Sequence, residues 1–188
     1  MYRRSETTRR SVFLCLLALI LAVPPALAGQ TSAETEAASV VWVVRHAERA
    51  DDGMAHQADP DLSDAGHARA QALARLLSDA GITAVHSTPY ARTRQTAAPL
   101  ADLLGLEVGE YDPGDARAME AFVEGLRAPG RHVVVGHSNT TPAVVQALGG
   151  DPVSPIATLE YDRIYVVTIG PDGTVSSSLL RFGAPAGG

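Results

Sequence analysis

Apolar and polar positions alternate in blocks along this chain. Val40 to Val44 is a continuous, mostly β-branched run, the pattern of a strand buried on both faces. A polar segment, Arg45 to Leu62, follows it. Ser63 opens a helical stretch in which Ala65, Ala68, Ala72, Leu73, Leu76, Leu77 and Ala80 are spaced for one buried face, and Gly81 is placed to terminate it. Ile82 to His86 reads as a second strand, Tyr90 to Leu104 as a second helix closed by Gly105, and Glu107 to Tyr111 as a third strand. Pro99 falls inside the second helix and is expected to kink it or shift its start. Ala116 to Leu126 predicts a third helix, His132 to Val135 a fourth strand and Thr141 to Leu148 a fourth helix. Tyr161 to Ile169 and Thr174 to Phe182 predict two antiparallel strands around the turn Gly170-Pro171-Asp172-Gly173. Strands alternating with helices imply an α/β fold, a three-layer α/β/α sandwich with a mainly parallel sheet and an antiparallel C-terminal edge hairpin.

The first residues stand outside that pattern. Arg3, Arg4, Arg9 and Arg10 precede an apolar run of 12 residues, Val12 to Val23, and Ala26-Leu27-Ala28 has the small residues of a cleavage site. This reads as a signal peptide over 1–28, the run falling short of the roughly 20 residues that a membrane-spanning helix needs. Residues 29–38 then form a flexible leader and 39–188 a single domain. The expected location is periplasmic or secreted, with no stable membrane anchor after cleavage.

Charge and cysteine usage narrow the chemistry. The 188 residues carry 15 basic side chains, all arginine, against 21 acidic ones, a net charge of −6. Cleavage after Ala28 would leave 11 basic and 20 acidic residues, or −9. An acidic domain of this kind is not expected to bind nucleic acid. The single cysteine, Cys15, leaves with the signal segment. Disulfides, thiolate catalysis and Cys-ligated zinc leave with it, and neither a metal nor a cofactor is expected.

In open α/β sheets ligands bind outside the carboxyl ends of the strands. Those positions here hold Arg45-His46 after the first strand, Ser87 to Arg92 after the second, Asp112 to Asp115 after the third and Gly136-His137-Ser138-Asn139 after the fourth. Two guanidinium groups from different strand ends could clamp a phosphoryl group. A neutral imidazole can attack phosphorus and form a covalent intermediate, and His46 suits that role. His137 could add a donor beside the transferring group, and an acid on the third loop could protonate the leaving oxygen.

Four blocks in this arrangement resemble one family. Val43-Val44-Arg45-His46-Ala47-Glu48, Leu62-Ser63-Asp64-Ala65-Gly66, Ser87-Thr88-Pro89-Tyr90-Ala91-Arg92-Thr93-Arg94-Gln95-Thr96-Ala97 and Val134-Val135-Gly136-His137-Ser138 are similar to the ordered motifs of the histidine phosphatase superfamily, the phosphoglycerate mutase-like branch 1. The resemblance covers about residues 39 to 182. It implies a phosphatase of small phosphomonoesters in which His46 is the phosphorylated nucleophile, Arg45 and Arg92 bind the phosphoryl group and His137 stabilises the transition state. The family's acid after the third strand has no clear counterpart here. Counting along Tyr111-Asp112-Pro113-Gly114-Asp115 puts Asp115 nearest, with Asp112 and Glu120 as substitutes, and helix capping by Asp115 and a turn role for Asp112 stand beside catalysis.

Other polar residues read as structural. His67, His86 and His132 suit a helix surface, a strand end and a strand start, and His56 lies in the long loop that could cover the crevice. Arg94 is expected to be solvated, and Glu48 to be a surface residue or one that orients its loop or a substrate. Gly136-His137-Ser138-Asn139-Thr140 approaches a serine-hydrolase elbow, but that fold needs a histidine after the serine and His137 is the last in the chain. His46-Ala47-Glu48 as a zinc-deaminase motif lacks cysteine ligands. A phosphate-binding module without turnover and a mutase-like phosphoryl transferase are the remaining alternatives.

Overall fold

The computed structural model describes residues 38–52 and 58–185. Residues 1–37, expected to be a signal segment and leader, and His56 lie outside them. A six-stranded sheet runs in the order β3-β2-β4-β1-β5-β6. Its strands are β1 (Ser39–Arg45), β2 (Ala84–Ser87), β3 (Val108–Glu110), β4 (Gly130–Gly136), β5 (Arg163–Ile169) and β6 (Val175–Arg181). β1 pairs parallel with β4, β4 with β2 and β2 with β3, whereas β5 lies antiparallel to both β1 and β6. The sheet is therefore parallel in its first four strands with an antiparallel C-terminal pair, as its sequence pattern predicts.

Helices α1 (Asp64–Leu77), α2 (Ala91–Leu104), α3 (Ala116–Gly125) and α4 (Thr140–Ala147) complete the fold. Because side chains alternate along a strand, each sheet face collects its own apolar layer. Val44, Val85, Val133 and Val135 pack with Leu73 and Leu77 of α1 and Leu100 of α2. Val41, Val43 and Val134 pack on the other face with Val123 of α3 and Val144 and Val145 of α4. Two helices on each face of one sheet make the three-layer sandwich.

Two details depart from the sequence expectation. α1 ends at Leu77, short of Ala80, and Gly81, at φ +66°, closes the following turn instead of the helix. The Ser78 hydroxyl donates to the Arg75 carbonyl at 3.1 Å, a local bond that competes with another helical turn. α2 runs unbroken through Pro99 from Ala91, so its start is not displaced. The proline removes one amide donor at a half-buried position, and Gly105 caps the helix in the left-handed region at φ +66°.

Two glycines mark close approaches. Ser63 caps α1, its hydroxyl accepting from Gly66 N at 3.1 Å, while Ser63 N donates to Glu48 O at 3.0 Å. A Cβ at Gly66 would collide with that same Glu48 carbonyl. A Cβ at Gly136 would lie 2.6 Å from Thr140 Oγ1 and 2.9 Å from Tyr111 Oη. Glycine at each position lets a helix start sit against a strand end.

Candidate active site

Insertion of β4 between β1 and β2 sets the geometry of the site. Arg45 stands opposite Gly136 in the β1–β4 register, and His46 N donates to Gly136 O at 2.8 Å. The residues that follow, His46 and His137, consequently meet edge to face with ring centroids 5.4 Å apart. β2 delivers Ser87 and Thr88 to the same end of the sheet, and the first turn of α2 adds Arg92. A cavity of about 440 Å³ opens there, lined by Arg45, His46, Arg49, Arg92 and His137 among others.

The imidazole of His46 is held in one tautomer. Its Nδ1 lies 2.8 Å from Ala47 O, and a carbonyl only accepts, so Nδ1 carries the proton and Nε2 keeps its lone pair. Burial lowers the His46 pKa to about 2, opposed by the Ala47 hydrogen bond and reinforced by Arg45, His137 and Arg92. The ring is thus neutral across the physiological range. His137 is assigned by the same reasoning. Arg92 Nη2 approaches its Nδ1 at 3.4 Å and Thr88 Oγ1 its Nε2 at 2.9 Å. A guanidinium only donates, so Nδ1 is the acceptor and Nε2–H points at Thr88. Thr88 Oγ1 lies 2.8 Å from Thr93 Oγ1, which in turn donates to the Tyr90 carbonyl at 2.8 Å. Burial, then Arg92 and Arg45, lower the His137 pKa to about 4.

Both arginines are fixed from behind. Arg45 Nη1 donates to Ala157 O at 2.8 Å and Glu160 O at 3.1 Å, and its guanidinium lies 4.1 Å above the Tyr161 ring. Tyr161 Oη donates to Asp52 Oδ2 at 2.6 Å. Burial, then that bond to Asp52, raises the pKa of the Tyr161 hydroxyl, so it remains a donor. Arg163 bonds the Glu160 carboxylate at 2.6 and 2.7 Å and holds it at a pKa of about 2. Arg92 Nη1 donates to Asp59 Oδ1 at 3.3 Å and its guanidinium covers the Tyr90 ring at 4.5 Å. Burial lowers the pKa of both arginines, countered by Tyr161 and Asp52 at Arg45 and by Asp59 at Arg92, and both stay cationic. Their Nε–H groups are buried and have no partner among the described residues. A buried unpaired donor is costly, and the two guanidinium groups that carry these donors line one cavity.

The carboxylates of the third loop are otherwise engaged. Asp115 caps α3, its Oδ1 accepting from Arg117 N at 2.8 Å and Ala118 N at 2.9 Å. Asp112 Oδ1 accepts from Gly114 N at 2.8 Å. Pro113 and Gly114 line the cavity, while Asp112, Asp115 and Glu120 do not. Glu48 is bound by the buried Arg69, whose Nη2 lies 2.6 Å from Oε1 and whose Nη1 reaches Phe182 O at 2.8 Å. It is a loop-orienting residue, not a plain surface one. Arg94 is solvated as expected, pairing with Glu110 at 3.1 Å. His67 is exposed on α1. Thr88, Asp52, Asp59 and Tyr161 are the contributors that sequence reasoning did not single out. Thr88 stood inside the Ser87–Ala97 block, but the others had no local signal.

A family model, histidine phosphatase superfamily (branch 1), matches residues 41–114. Over that stretch this chain is similar to that superfamily. The matched stretch holds Arg45, His46 and Arg92, and His137 lies beyond it. Solved structures with this fold include the protein histidine phosphatase SixA complexed with tungstate, at TM-score 0.59 and 22% identity over 78% of this chain and 97% of that one. Phosphoglycerate mutase from Bacillus anthracis aligns at TM-score 0.61 and 12% identity over 78% and 94% of the two chains. A mycobacterial glucosyl-3-phosphoglycerate phosphatase aligns at TM-score 0.56 and 17% identity over 77% and 98%. At these identities they speak for the fold. No curated protein matches the sequence.

Proposed function

We propose that this chain is an exported, periplasmic or secreted phosphatase that hydrolyses phosphomonoesters through a phosphohistidine on His46. The observation that carries the reading is the neutral His46, its Nε2 unprotonated, beside Arg45 and Arg92, whose buried Nε–H groups have no partner among the described residues. The Nε2 lone pair forms the N–P bond as the ester P–O bond breaks, and Arg45 and Arg92 take the charge on the non-bridging oxygens. Water then attacks phosphorus, the N–P bond breaks and inorganic phosphate leaves. A phosphoryl dianion next to His137 favours a proton on its Nδ1, turning that nitrogen into a further donor to the transition state. No step of this sequence calls for a metal or a cofactor.

Protonation of the leaving oxygen distinguishes substrates. With no carboxylate among the described residues that line the cavity, esters whose leaving groups need little protonation, such as aryl phosphates, should turn over best. Export is supported by the arginine-flanked apolar run and the Ala26-Leu27-Ala28 site. Purified protein assayed with an aryl phosphate in EDTA tests the reaction. Rapid quenching should trap a phosphoenzyme labile to acid and stable to alkali, absent in His46→Ala. Equal turnover by wild type and His46→Ala would overturn the mechanism.

A further inference from the structure

The geometry points to an apolar leaving-group subsite between α3 and α4, built for a phosphomonoester whose alcohol or phenol carries an uncharged hydrophobic extension. This rests on the phosphatase reading above and adds the substrate class. A second cavity of about 570 Å³ lies beside the phosphoryl pocket, and the two share Pro113, Asn139 and Thr140 as a common wall. They adjoin, but their linings differ. The first presents arginine and histidine, whereas the second presents the side chains of Ala116, Met119, Val123, Ala143 and Ala147.

An ester held with its phosphoryl group on Arg45 and Arg92 must place its substituent somewhere outside the first pocket. Where it crosses Pro113, Asn139 and Thr140, it meets aliphatic carbon. Small residues on α4 leave this space open: alanine at 143 and 147 faces Met119 and Val123 without filling the gap. The rim is acidic. Glu120 and Glu124 line the same cavity, and Arg127, the one cation among the described residues that line it, is engaged by Glu124 at 3.3 Å and by the Ala147 carbonyl at 2.9 Å. Such a rim repels a second phosphate or carboxylate, which points away from nucleotides and acidic sugars and toward neutral aryl or alkyl groups. Each methylene placed in an apolar site gains about 0.8 kcal/mol, or roughly a fourfold change in affinity.

The test separates this subsite from the reaction itself. Calorimetric titration with methyl-, butyl- and hexylphosphonate, which cannot be hydrolysed, reads binding whether or not the protein turns over. The expected result is a Kd that falls at least tenfold from methyl to hexyl in the wild type, and a nearly flat series in Ala143→Glu, with the slope kept in Leu179→Glu on the distant sheet edge. A flat series in the wild type would overturn the subsite and leave the groove to a protein surface or another segment of the chain. Turnover is measured in parallel with para-methyl-, para-butyl- and para-hexylphenyl phosphate, whose leaving groups have nearly the same acidity. Absent turnover with a sloping phosphonate series would sink the phosphatase reading and spare the subsite. Steady turnover with a flat phosphonate series would do the reverse.

Discussion

Two histidine pairs span this sheet, and they differ in company more than in chemistry. His46 and His137 stand 5.4 Å apart at the ends of β1 and β4. His86 and His132, on the neighbouring strands β2 and β4, stack 5.7 Å apart on the face covered by α3, with Phe122 5.2 Å from His86. Burial drives down all four pKa values. A neutral, depressed histidine is therefore no mark of function by itself. The first pair lies where strands end and backbone carbonyls, arginines and hydroxyls converge, each ring nitrogen with an assigned role. The second lies within the strands, against an aromatic ring, with no cation next to it and no cavity of its own among the described residues.

Substitutions in the two pairs should separate accordingly. His46→Ala should reduce kcat on an aryl phosphate about ten-thousand-fold with an unchanged circular dichroism spectrum. Activity within tenfold of wild type would equate the two pairs. His137→Gln should cost about a hundredfold to a thousandfold in kcat, as expected for a lost transition-state donor. Behind the pocket, Tyr161→Leu removes the ring under Arg45 and should raise KM about tenfold, whereas Tyr161→Phe keeps the ring and should raise it no more than about threefold. Similar KM values for the two variants would mean that the ring does not position Arg45.

Smaller effects are expected at the loop and under α3. Asparagine also caps helices, so Asp115→Asn should leave kcat within about twofold. A hundredfold loss confined to poor leaving groups would instead make Asp115 the acid. At His86 the readout is stability. A folded-state pKa near 4 against about 6.5 in the unfolded chain means that unfolding takes up protons. The contribution is intact above pH 6.5 and declines as pH falls toward 4. His86→Gln should therefore flatten the loss of stability between pH 7 and 5 by about 1 kcal/mol, allowing for partial exposure, with kcat/KM unchanged. An unflattened urea-denaturation profile would show that this pair does not titrate with unfolding.

The same contrast shows what was legible in the sequence. Strands such as Val40 to Val44 announced themselves by unbroken β-branched runs, and the rule that ligands lie at strand ends singled out Arg45, His46, Arg92 and His137 before any coordinates. The residues that hold them did not show. Tyr161 and Asp52 are 109 positions apart in the chain, and nothing local to either predicts their bond. Arg69 looked like one more polar position on α1, although it is buried against Glu48 and the Phe182 carbonyl. In the third loop, counting brought Asp115 near the crevice but could not tell which way its carboxylate faces, because capping and catalysis begin from the same position before a helix.

One contact also orders events in time. The carbonyls that grip Arg45 belong to Ala157 and Glu160, on the approach to β5, while Arg45 itself closes β1. Among the described residues, every parallel strand and all four helices precede that grip in the chain. A nascent polypeptide stopped before Ala157 could carry His46, both arginines and His137 and still leave one guanidinium unanchored. Competence should thus arrive late, when the last sixth of the polypeptide threads back beside the first strand.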